Sequence, residues 1–522
     1  MNSIYAYIKK YAAMLAAQPY PLGLAARLIV ETDEGVFGTV KGADLANLGE
    51  AEVEKLPLSV LPKGRQGIRS IVISQTPACQ EWLRRGQALF PALDDMAQVI
   101  GTRAAVIDAR GGLRKAVPQL VRIMRANAGC FVVIGHAADG TCLGYTLTVG
   151  RTPYEAIVAM TVLEKSAEVA LLAEKIGSPQ PVSAWECRRM RSIYLKKYSK
   201  SEASARAAEA AALAAHEDAA AAKTATDAGA ADGNTDLGTA NAADEIASAA
   251  NTATASGSAS AADITAGTMQ ESSPTREETL RAQLVDYGKQ LVASGLVQGT
   301  WGNLSARLDD TYMLVTPSGL DYARLTPADM VKVNMRTLEY EGDLKPTSEK
   351  SLHAAIYQNR PDIGGIIHTH SKYCCVYAAA RRDLPIPADR QTAFQSPIKL
   401  APYAPPGSKT LTKNTAAAVG DNYGAIMAGH GMIACGRDLT AAFQNCKQLE
   451  AIAGRVGAEL VALLHRVGIK PCEPEHEVGR ERLAVEHFGL DRAGDGQQLA
   501  DLLTVEPWPE NARRVQQLQS LI

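Results

Sequence analysis

The 522-residue sequence lacks several features that would assign it to a specialised class of protein. Aromatic residues make up only 5% of the chain, and the formal net charge is -2. A nearly neutral chain gives no indication of a nucleic-acid or anionic-membrane partner. No apolar run approaches the roughly 20 residues that a membrane-spanning helix needs. We therefore expect neither nucleic acid nor a membrane as a partner.

The chain also lacks a paired-cysteine framework. Its nine cysteines are scattered, and Cys374 and Cys375 are adjacent, which fits neither a zinc knuckle nor a thioredoxin motif. The N-terminal segment MNSIYAYIKKYAAMLAAQPYP contains lysines and has no apolar region of the signal-peptide kind. Both features favour reduced thiols and a cytoplasmic location.

A middle segment lacks the residues that build a core. Residues 200–275 are dominated by Ala, Ser, Thr, Gly, Asp and Asn and contain no aromatic residue. Such a segment cannot bury enough apolar surface to offset the entropy of ordering it. We predict a disordered, Ala-rich linker between an N-terminal domain of residues 1–199 and a C-terminal domain of residues 276–522. The core of the latter would end at residue 465, and residues 466–522 would form a tail.

The two flanking domains share four sequence matches that occur in the same order, which indicates an internal repeat. The alternative is convergent α/β patterning. The matched segments are GLAARL (23–28) with NLSARL (303–308), GTVKGADLANL (38–48) with VTPSGLDYARL (315–325), DMAQVIGTR (95–103) with DIGGIIHTH (362–370), and GRTPYEA (150–156) with GRDLTAA (436–442).

Apolar periodicity predicts alternating strands and helices in the C-terminal domain. Short apolar runs bounded by glycine predict strands at residues 363–367 and 424–435. Helical spacing predicts helices at residues 276–294, 348–358 and 440–464. This alternation is typical of an α/β domain with a central sheet.

Three histidines and one glutamate form a candidate metal site. His368 and His370 would face the same side of a strand, because residues i and i+2 do so. His430 lies between two glycines in a second apolar segment, and Glu349 begins a helix after Pro346. Three imidazoles and a carboxylate are typical of a catalytic zinc site. A His-x-His pair alone would more often be a surface or core feature.

Glycine-rich and hydroxyl-rich segments form a candidate anion site. They are GTWGN (299–303), TPSG (316–319) and PTSE (346–349). Backbone amides freed by glycine, together with Ser, Thr and Asn side chains, suit a phosphate. The alternative is turn punctuation and a helix cap.

These motifs together resemble the class II aldolase/adducin family and, within it, the fuculose-phosphate aldolases. The segments QGTWGNLSAR, TPSGLDY, KPTSE, IIHTHS, LAPYAPPGS and AGHGMIACGRDL follow the order of the family between residue 276 and about residue 465. The resemblance implies two α/β domains, each a three-layer α/β/α structure around a central, mostly antiparallel sheet. It also implies a homo-oligomer. Family members form four-fold rings, which a dimer of two-domain chains would reproduce.

The resemblance implies a divalent-metal-dependent lyase of carbohydrate catabolism. It would cleave a carbon–carbon bond of a sugar phosphate, of the ketose 1-phosphate type, through an enediolate. Zn²⁺ would be the cofactor, with Mn²⁺ or Co²⁺ as alternatives. Its ligands would be His368, His370, His430 and Glu349, of which Glu349 would also be the catalytic acid/base. The substrate phosphate would be held by Gly302, Asn303, Ser318, Gly319, Thr347 and Ser348.

Two departures from the family pattern keep alternatives open. Gln391 and Phe488 stand where the aldolases use tyrosines as proton donors, so either another hydroxyl, such as that of Tyr373 or Tyr377, substitutes or the reaction is a related one. The alternative functions are a related decarboxylase or epimerase of a sugar-acid or pentulose phosphate, or a non-catalytic, adducin-like assembly protein. A glutamate at position 349 favours aldolase over epimerase, because the epimerases tend to carry aspartate there.

At the positions that the sequence matches assign to the metal ligands, the N-terminal domain has other residues. Gly101, Arg103 and Gly144 fall opposite the three histidines, and Gly23 falls opposite Asn303. We therefore predict a degenerate domain without metal ligands, kept for packing, assembly or regulation. We further hypothesise that Arg103 neutralises the vacated metal pocket, in which case restoring histidine at Gly101, Arg103 and Gly144 should permit metal uptake.

Overall fold

A computed structural model describes residues 2–56, 67–111, 113–196, 274–297, 301–388 and 394–466. Most of the proposed linker, nearly all of the proposed tail with Phe488, and Gln391 lie outside the described residues. Segments Met1–Tyr194 and Thr275–Ile522 belong to one compact unit. The described parts of both halves can therefore be considered as one structure, and the domain boundaries remain predictions.

The N-terminal half folds around a seven-stranded sheet with the order β3-β2-β1-β4-β7-β6-β5. Strands β5 and β6 pair in parallel, and the other neighbours pair antiparallel. The elements are α1 (Asn2–Ala16), β1 (Arg27–Thr32), β2 (Gly35–Thr39), β3 (Val53–Leu56), β4 (Ser70–Ser74), α2 (Pro77–Arg84), α3 (Asp94–Val99), β5 (Ala105–Asp108), α4 (Leu113–Met124), β6 (Gly129–His136), β7 (Cys142–Gly150), α5 (Pro153–Ile176) and α6 (184–196).

The C-terminal half has a second seven-stranded sheet with the order β10-β9-β8-β11-β14-β13-β12, which is the same topology seven strands later. Here β12 and β13 form the parallel pair. The elements are α7 (Arg276–Ala293), β8 (Gly302–Arg307), β9 (Tyr312–Val315), β10 (Val331–Asn334), α8 (Lys350–Asn359), β11 (Gly365–Thr369), α9 (Lys372–Ala380), β12 (Leu400–Ala401), α10 (Lys409–Val419), β13 (Gly424–Met427), β14 (Gly431–Gly436) and α11 (Leu439–Arg466).

Alternating side chains of the second sheet enter two separate cores. Ile367 and Met432 pack with residues of α7, α9 and α11. Ile366 and Ile433 pack with residues of α8 and α10 on the opposite face. Because successive strand residues point to opposite faces, the sheet lies between two helical layers. The predicted α/β/α architecture with a mostly antiparallel sheet is confirmed.

The core is continuous between the two halves. Leu93, Val169 and Ile176 of the N-terminal half belong to the same buried cluster as the residues of α9. Helix α5 packs against α9, and the Gln180 amide donates to the Ala379 carbonyl at 2.9 Å. The N-terminal half is therefore in direct contact with the helix that follows His370.

Several side-chain contacts occur at corresponding places in both halves. Glu164 accepts the amides of Ala78 and Cys79 at the start of α2, at 2.7 and 2.9 Å. Glu450 accepts the amides of Tyr373 and Cys374 at the start of α9, also at 2.7 and 2.9 Å. A carboxylate at a helix N-terminus satisfies amides that have no partner within the helix.

A second recurring contact lies at the first strand of each sheet. The Thr39 hydroxyl accepts the Leu28 amide at 3.1 Å, and the Thr316 hydroxyl accepts the Leu304 amide at the same distance. In the turns that follow, Gly42 and Gly319 have φ of 81° and 80°. The structure thus agrees with the match of residues 38–48 to 315–325, and it supports the interpretation of the chain as a repeat.

The sheet registers contradict two of the four sequence matches. Ser70 pairs with Gly150 as Gly365 pairs with Gly436, so β4 is the counterpart of β11. Counting along these strands places Ile73 and Gln75 opposite His368 and His370. The predicted counterparts Gly101 and Arg103 were wrong, because residues 94–99 form helix α3, in which Met, Ala and Gln are good helix formers.

The counterpart of Asn303 also changes. Asn303 pairs with His368, and Arg27 pairs with Ile73 in the equivalent ladder. Arg27, rather than the predicted Gly23, therefore stands where Asn303 stands. Its guanidinium donates to the Thr39 carbonyl at 2.7 Å and to Glu54 at 2.5 Å, so it connects β1 to β2 and β3.

Candidate metal centre

The three histidines come from the end of β11 and from the turn between β13 and β14. His368 is in β11, and His370 follows the end of that strand. His430 lies in the turn between β13 and β14, so the prediction of one continuous strand over residues 424–435 was wrong. All three are buried, with exposed fractions of 1%, 9% and 3%.

The two glycines beside His430 have separate structural reasons. Gly429 has φ of 64°, a left-handed conformation that side chains disfavour. At Gly431 a Cβ atom would lie 2.4 Å from the Thr369 carbonyl oxygen and 3.1 Å from the His370 ring. The Gly-His-Gly sequence therefore both turns the chain and lets His430 approach the other two imidazoles.

Glu349 completes the cluster from the start of α8, in the helical layer that α8 and α10 form. It is the residue immediately before α8 and is 5% exposed. Its Oε2 lies 3.3 Å from His368 Nε2, and its Oε1 lies 3.2 Å from His430 Nε2. The Asn303 amide donates to Oε2 at 3.0 Å and so orients the carboxylate. The structure thus brings the four predicted ligands together.

Two of the imidazoles are fixed through their other ring nitrogen. His368 Nδ1 lies 2.8 Å from the Met432 carbonyl oxygen, and His430 Nδ1 lies 2.9 Å from Asp94 Oδ2. A carbonyl oxygen and an ionised carboxylate only accept, so with Asp94 ionised each Nδ1 is the donor, and each Nε2 presents a lone pair when its ring is neutral. This arrangement is the one in which metal-binding histidines are usually held.

The donor atoms fit a small divalent cation. His368 Nε2 lies 3.0 Å from His370 Nε2 and 3.1 Å from His430 Nε2, and the three histidine donors all lie within 4.8 Å of one another. Ligands about 2.0–2.1 Å from a tetrahedral zinc ion would be roughly 3.3 Å apart. Glu349 Oε1 is buried and has no hydrogen bond among the described residues. A cation would satisfy this oxygen and the converging lone pairs.

The buried groups of the cluster differ in the direction of their pKa shifts. Burial opposes ionisation of Glu349, but His368, His430 and the Asn303 hydrogen bond outweigh it and hold its pKa well below the ordinary value. Burial also disfavours charge on His430, but Glu349 and Asp94 outweigh it and raise its pKa to about 10. Burial lowers the pKa of His370 to about 3 despite the nearby Asp95.

The predicted phosphate-binding segments lie beside one another and beside Glu349. The Thr347 amide donates to the Thr316 carbonyl at 3.0 Å, and the Ser318 amide donates to the Lys345 carbonyl at 2.8 Å. The Thr347 hydroxyl accepts the Glu349 amide at 3.3 Å. Gly319 and Ser348 are exposed, Gly302 is half-buried, and residues 298–300 lie outside the described residues. Ser318 is half-buried, and Thr347 and Asn303 are buried, with exposed fractions of 4% and 6%.

Neither candidate substitute, Tyr373 or Tyr377, forms a hydrogen bond with the four predicted ligands among the described residues. Tyr377 is 3% exposed within α9, and its hydroxyl has no hydrogen bond among the described residues. The ring of Tyr373 lies against Gly454 of α11. Tyr403 is connected to the cluster through Asp94, because its hydroxyl donates to Asp94 Oδ1 at 3.2 Å.

Sequence reasoning missed the contribution of the N-terminal half. Asp94, Asp95 and Lys165 all lie at or next to the histidines. Two adjacent aspartates directly after an apolar segment, FPAL, were the available signal. The incorrect match of residues 95–103 with the histidine strand concealed it. His353 is not part of the donor set; it is fully buried, with Nδ1 2.6 Å from Ser305 Oγ.

Comparison with known proteins agrees with this geometry. The family model of the class II aldolase and adducin N-terminal domain matches residues 282–455. None of the described helices is long and apolar enough to cross a membrane.

Two curated relatives illustrate the similarity. A 5-methylthioribulose-1-phosphate/5-deoxyribulose-1-phosphate aldolase from Rhodospirillum rubrum is 38% identical over 183 residues, which are 34% of this chain and 81% of the relative. An L-fuculose phosphate aldolase from Escherichia coli is 35% identical over 177 residues, which are 33% of this chain and 80% of the relative. A solved L-fuculose 1-phosphate aldolase structure has 32% identity and a TM-score of 0.34, covering 38% of this chain and 92% of that one. The chain therefore belongs to the class II aldolase and adducin family.

Proposed function

We propose that this chain is a divalent-metal-dependent aldolase that cleaves a carbon–carbon bond of a ketose 1-phosphate. The observation that carries the proposal is the convergence of three histidine Nε2 atoms and the Glu349 carboxylate, with His368 and His430 each held through Nδ1. An assembly module has no need of such a buried donor set. The ligands would be His368, His370, His430 and Glu349.

Zinc is the metal that this donor set favours, with manganese or cobalt as alternatives. When bound, the cation would supply Lewis-acid polarisation of a carbonyl group. Glu349 is the group that can move a proton at the carbon next to that carbonyl, because it is ionised and sits among the donors. The Asn303 side-chain amide donates to this carboxylate and holds it in place.

The neighbouring loops suit the phosphate of the substrate. Amides and hydroxyls of Gly302, Asn303, Ser318, Gly319, Thr347 and Ser348 supply donors at the helix N-terminus that Glu349 begins. By their names, the similar proteins act on 1-phosphates of fuculose, 5-deoxyribulose and 5-methylthioribulose. These compounds share the phosphate and ketone end, which supports a ketose 1-phosphate as the substrate class of this chain.

Metal content is the first test. We expect about one zinc per chain in the purified protein by elemental analysis, and its loss in His368→Ala and His430→Ala. His136→Ala is the matched control, because His136 is exposed in the N-terminal half and contacts only local residues in the structure. Absence of metal from the wild type after supplementation would overturn the proposal and leave the adducin-like assembly role.

Activity is the second test. Fuculose, 5-deoxyribulose and 5-methylthioribulose 1-phosphates would be assayed for release of dihydroxyacetone phosphate and aldehyde. Glu349→Gln should lower kcat by about 10²–10⁴-fold, the usual contribution of a general acid/base. Decarboxylation of a sugar-acid phosphate or epimerisation of a pentulose phosphate without cleavage would replace the aldolase by one of the two related functions.

We further propose that two chains associate into a ring of four domains. Within one chain, α5 packs against α9, and Lys372 contacts Glu168 at 2.9 Å. The corresponding elements in the repeat, α11 and α2, would meet in the same way between two chains. Light scattering should then give twice the 55.4 kDa chain mass. A monomer at working concentration would contradict this arrangement.

A further inference from the structure

One loop of the N-terminal half reaches the histidines of the C-terminal half. An antiparallel bridge between Leu89 and Ala104 closes this loop, and the loop contains α3. At the start of α3, the Asp94 amide donates to the Gly429 carbonyl at 2.8 Å. Asp94 and Asp95 are 0% and 1% exposed. Two carboxylates are thus buried next to a donor set that belongs to the other half of the chain.

Asp94 holds His430 from the side opposite the donor set. Its Oδ2 lies 2.9 Å from His430 Nδ1, while its Oδ1 lies 3.2 Å from the Tyr403 hydroxyl. Its backbone amide bonds to the residue before His430. These contacts fix the carboxylate at both oxygens, so it can fix the tautomer and the orientation of the imidazole.

Asp95 stands next to His370 and is paired with a lysine. Its Oδ2 accepts from Lys165 Nζ at 2.8 Å and lies 3.8 Å from His370 Nδ1. The latter distance is too long for a hydrogen bond, and His370 Nδ1 has no other partner among the described residues. Of the three histidines, His370 is thus the one whose Nδ1 has no hydrogen-bond partner among the described residues. A shift of less than an ångström would make Asp95 that partner.

The burial of these carboxylates agrees with this role. Asp94, Asp95 and Glu349 are 0%, 1% and 5% exposed. Lys165 pairs with Asp95, and the Arg381 guanidinium lies near Asp94. Buried carboxylates are unfavourable unless positive charge is placed beside them. A divalent cation among the histidines would add such charge at this site.

We propose that Asp94 and the Asp95–Lys165 pair are positioning residues for the metal-binding histidines, so that the N-terminal half completes the metal centre of the C-terminal half. This inference rests on the proposed function, since it concerns the same cation. Carboxylates bonded to a ligand histidine orient the ring and raise its basicity, and their loss costs about 10–100-fold in metal affinity or activity. The N-terminal half therefore acts on the site although it provides no ligand to it.

The test measures zinc affinity of the full chain by competition with a chromophoric chelator. Asp94→Asn and Asp95→Asn remove the charge and keep the side-chain shape, and each should weaken zinc binding by about 10–100-fold. Asp94→Glu should recover part of that loss. Asp139→Asn is the matched control, because Asp139 is an exposed carboxylate of the same half whose side chain accepts from Thr141 alone among the described residues. It should leave zinc affinity unchanged.

A second readout separates positioning from general stability. With cobalt in place of zinc, the visible ligand-field spectrum of Asp94→Asn should change, because the spectrum depends on the geometry and basicity of the ligands. Tyr403→Phe removes only one contact of Asp94, so it should fold and should weaken zinc binding by a few-fold. It keeps the idea testable if the aspartate variants do not fold.

The outcomes distinguish this inference from the proposed function. Wild-type protein that binds no zinc would overturn the metal centre itself. Wild-type protein that binds zinc, with both aspartate variants within about threefold of its affinity and an unchanged cobalt spectrum, would overturn only the role of the N-terminal half. Equal weakening by Asp139→Asn would also overturn it, since the effect would then be one of overall charge.

Discussion

Each half has one glutamate that accepts the backbone amides at the start of a helix, Glu450 for α9 and Glu164 for α2. Replacing either glutamate by glutamine tests whether these contacts stabilise the helix starts. Glu450 Oε1 accepts the Tyr373 amide, and its Oε2 accepts the Cys374 amide and the Ser371 hydroxyl. Glutamine has a single acceptor oxygen, so Glu450→Gln must leave at least one of these amides without its partner. The counterpart, Glu164→Gln, must do the same to Ala78 or Cys79 at the start of α2.

The burial of the two carboxylates sets the expected magnitudes. Glu164 is 2% exposed, and a buried donor that loses its partner costs about 1–3 kcal/mol. Since 1.4 kcal/mol is a factor of ten, amide exchange at the start of α2 should accelerate about 10–100-fold. Glu450 is half-buried and water can replace part of its bonding, so the acceleration at the start of α9 should be roughly 3–10-fold.

Hydrogen exchange followed by mass spectrometry resolves the two helices separately. Each variant is the control for the other, because Glu450→Gln should change residues 371–380 and leave residues 76–84 as in the wild type, and Glu164→Gln should do the reverse. Exchange that stays at the wild-type rate at both helix starts would refute the capping role. A global acceleration in either variant would show that the contact supports the whole unit instead.

Two further substitutions test the walls of the site. Gly431→Ala would place a Cβ 2.4 Å from the Thr369 carbonyl, so it should displace the turn carrying His430 and lower the zinc content, whereas Gly135→Ala, with open space around it, should not. Burial lowers the pKa of His353 from 6.5 to about 3, so this ring stays neutral when folded and takes a proton when unfolded. Folding stability should therefore fall as pH drops from about 6.5 toward 3, by up to about 1.4 kcal/mol per pH unit. His353→Asn should reduce that slope in urea denaturation, and an unchanged slope would contradict the assignment.

The sequence was sufficient for the elements of the site that local chemistry determines. Alternation of apolar residues and the i, i+2 spacing of His368 and His370 place both rings at the end of one strand, as the structure does. The glycine pair around His430 indicates a special backbone, but not its shape. A turn and a strand bulge can both require glycine, and the positive φ at Gly429 decides between them.

The parts that the sequence did not predict depend on contacts between distant segments. Asp94 and His430 are 336 residues apart in the chain, and no local periodicity relates them. Register was the second difficulty. A match of DMAQVIGTR to DIGGIIHTH joins similar letters, whereas the registers of the two sheets make the β-branched run SIVIS the counterpart of the histidine strand. A one-dimensional match cannot distinguish a helix from a strand when the apolar positions coincide.

The corrected register changes what restoring histidines in the N-terminal half should do. The positions equivalent to the three ligands are Ile73, Gln75 and Gly144, yet a Cβ at Gly144 would lie 1.9 Å from the Val132 carbonyl. Only residues 57–69 connect β3 to β4, whereas residues 335–364, with α8 and Glu349, connect β10 to β11. The described N-terminal half therefore has no counterpart of the helix that supplies the carboxylate.

We accordingly expect no second metal in Ile73→His/Gln75→His, alone or with Gly144→His, and none after histidine is placed at Gly101, Arg103 and Gly144. Gly101 has φ of 114°, and a Cβ there would lie 2.8 Å from Asn127 Oδ1. Elemental analysis in a His368→Ala background would detect metal bound by the N-terminal half alone. Metal in any of these variants would mean that the two halves differ only by point substitutions. Its absence would mean that they differ by the loop and helix that carry Glu349, which substitution of single residues does not restore.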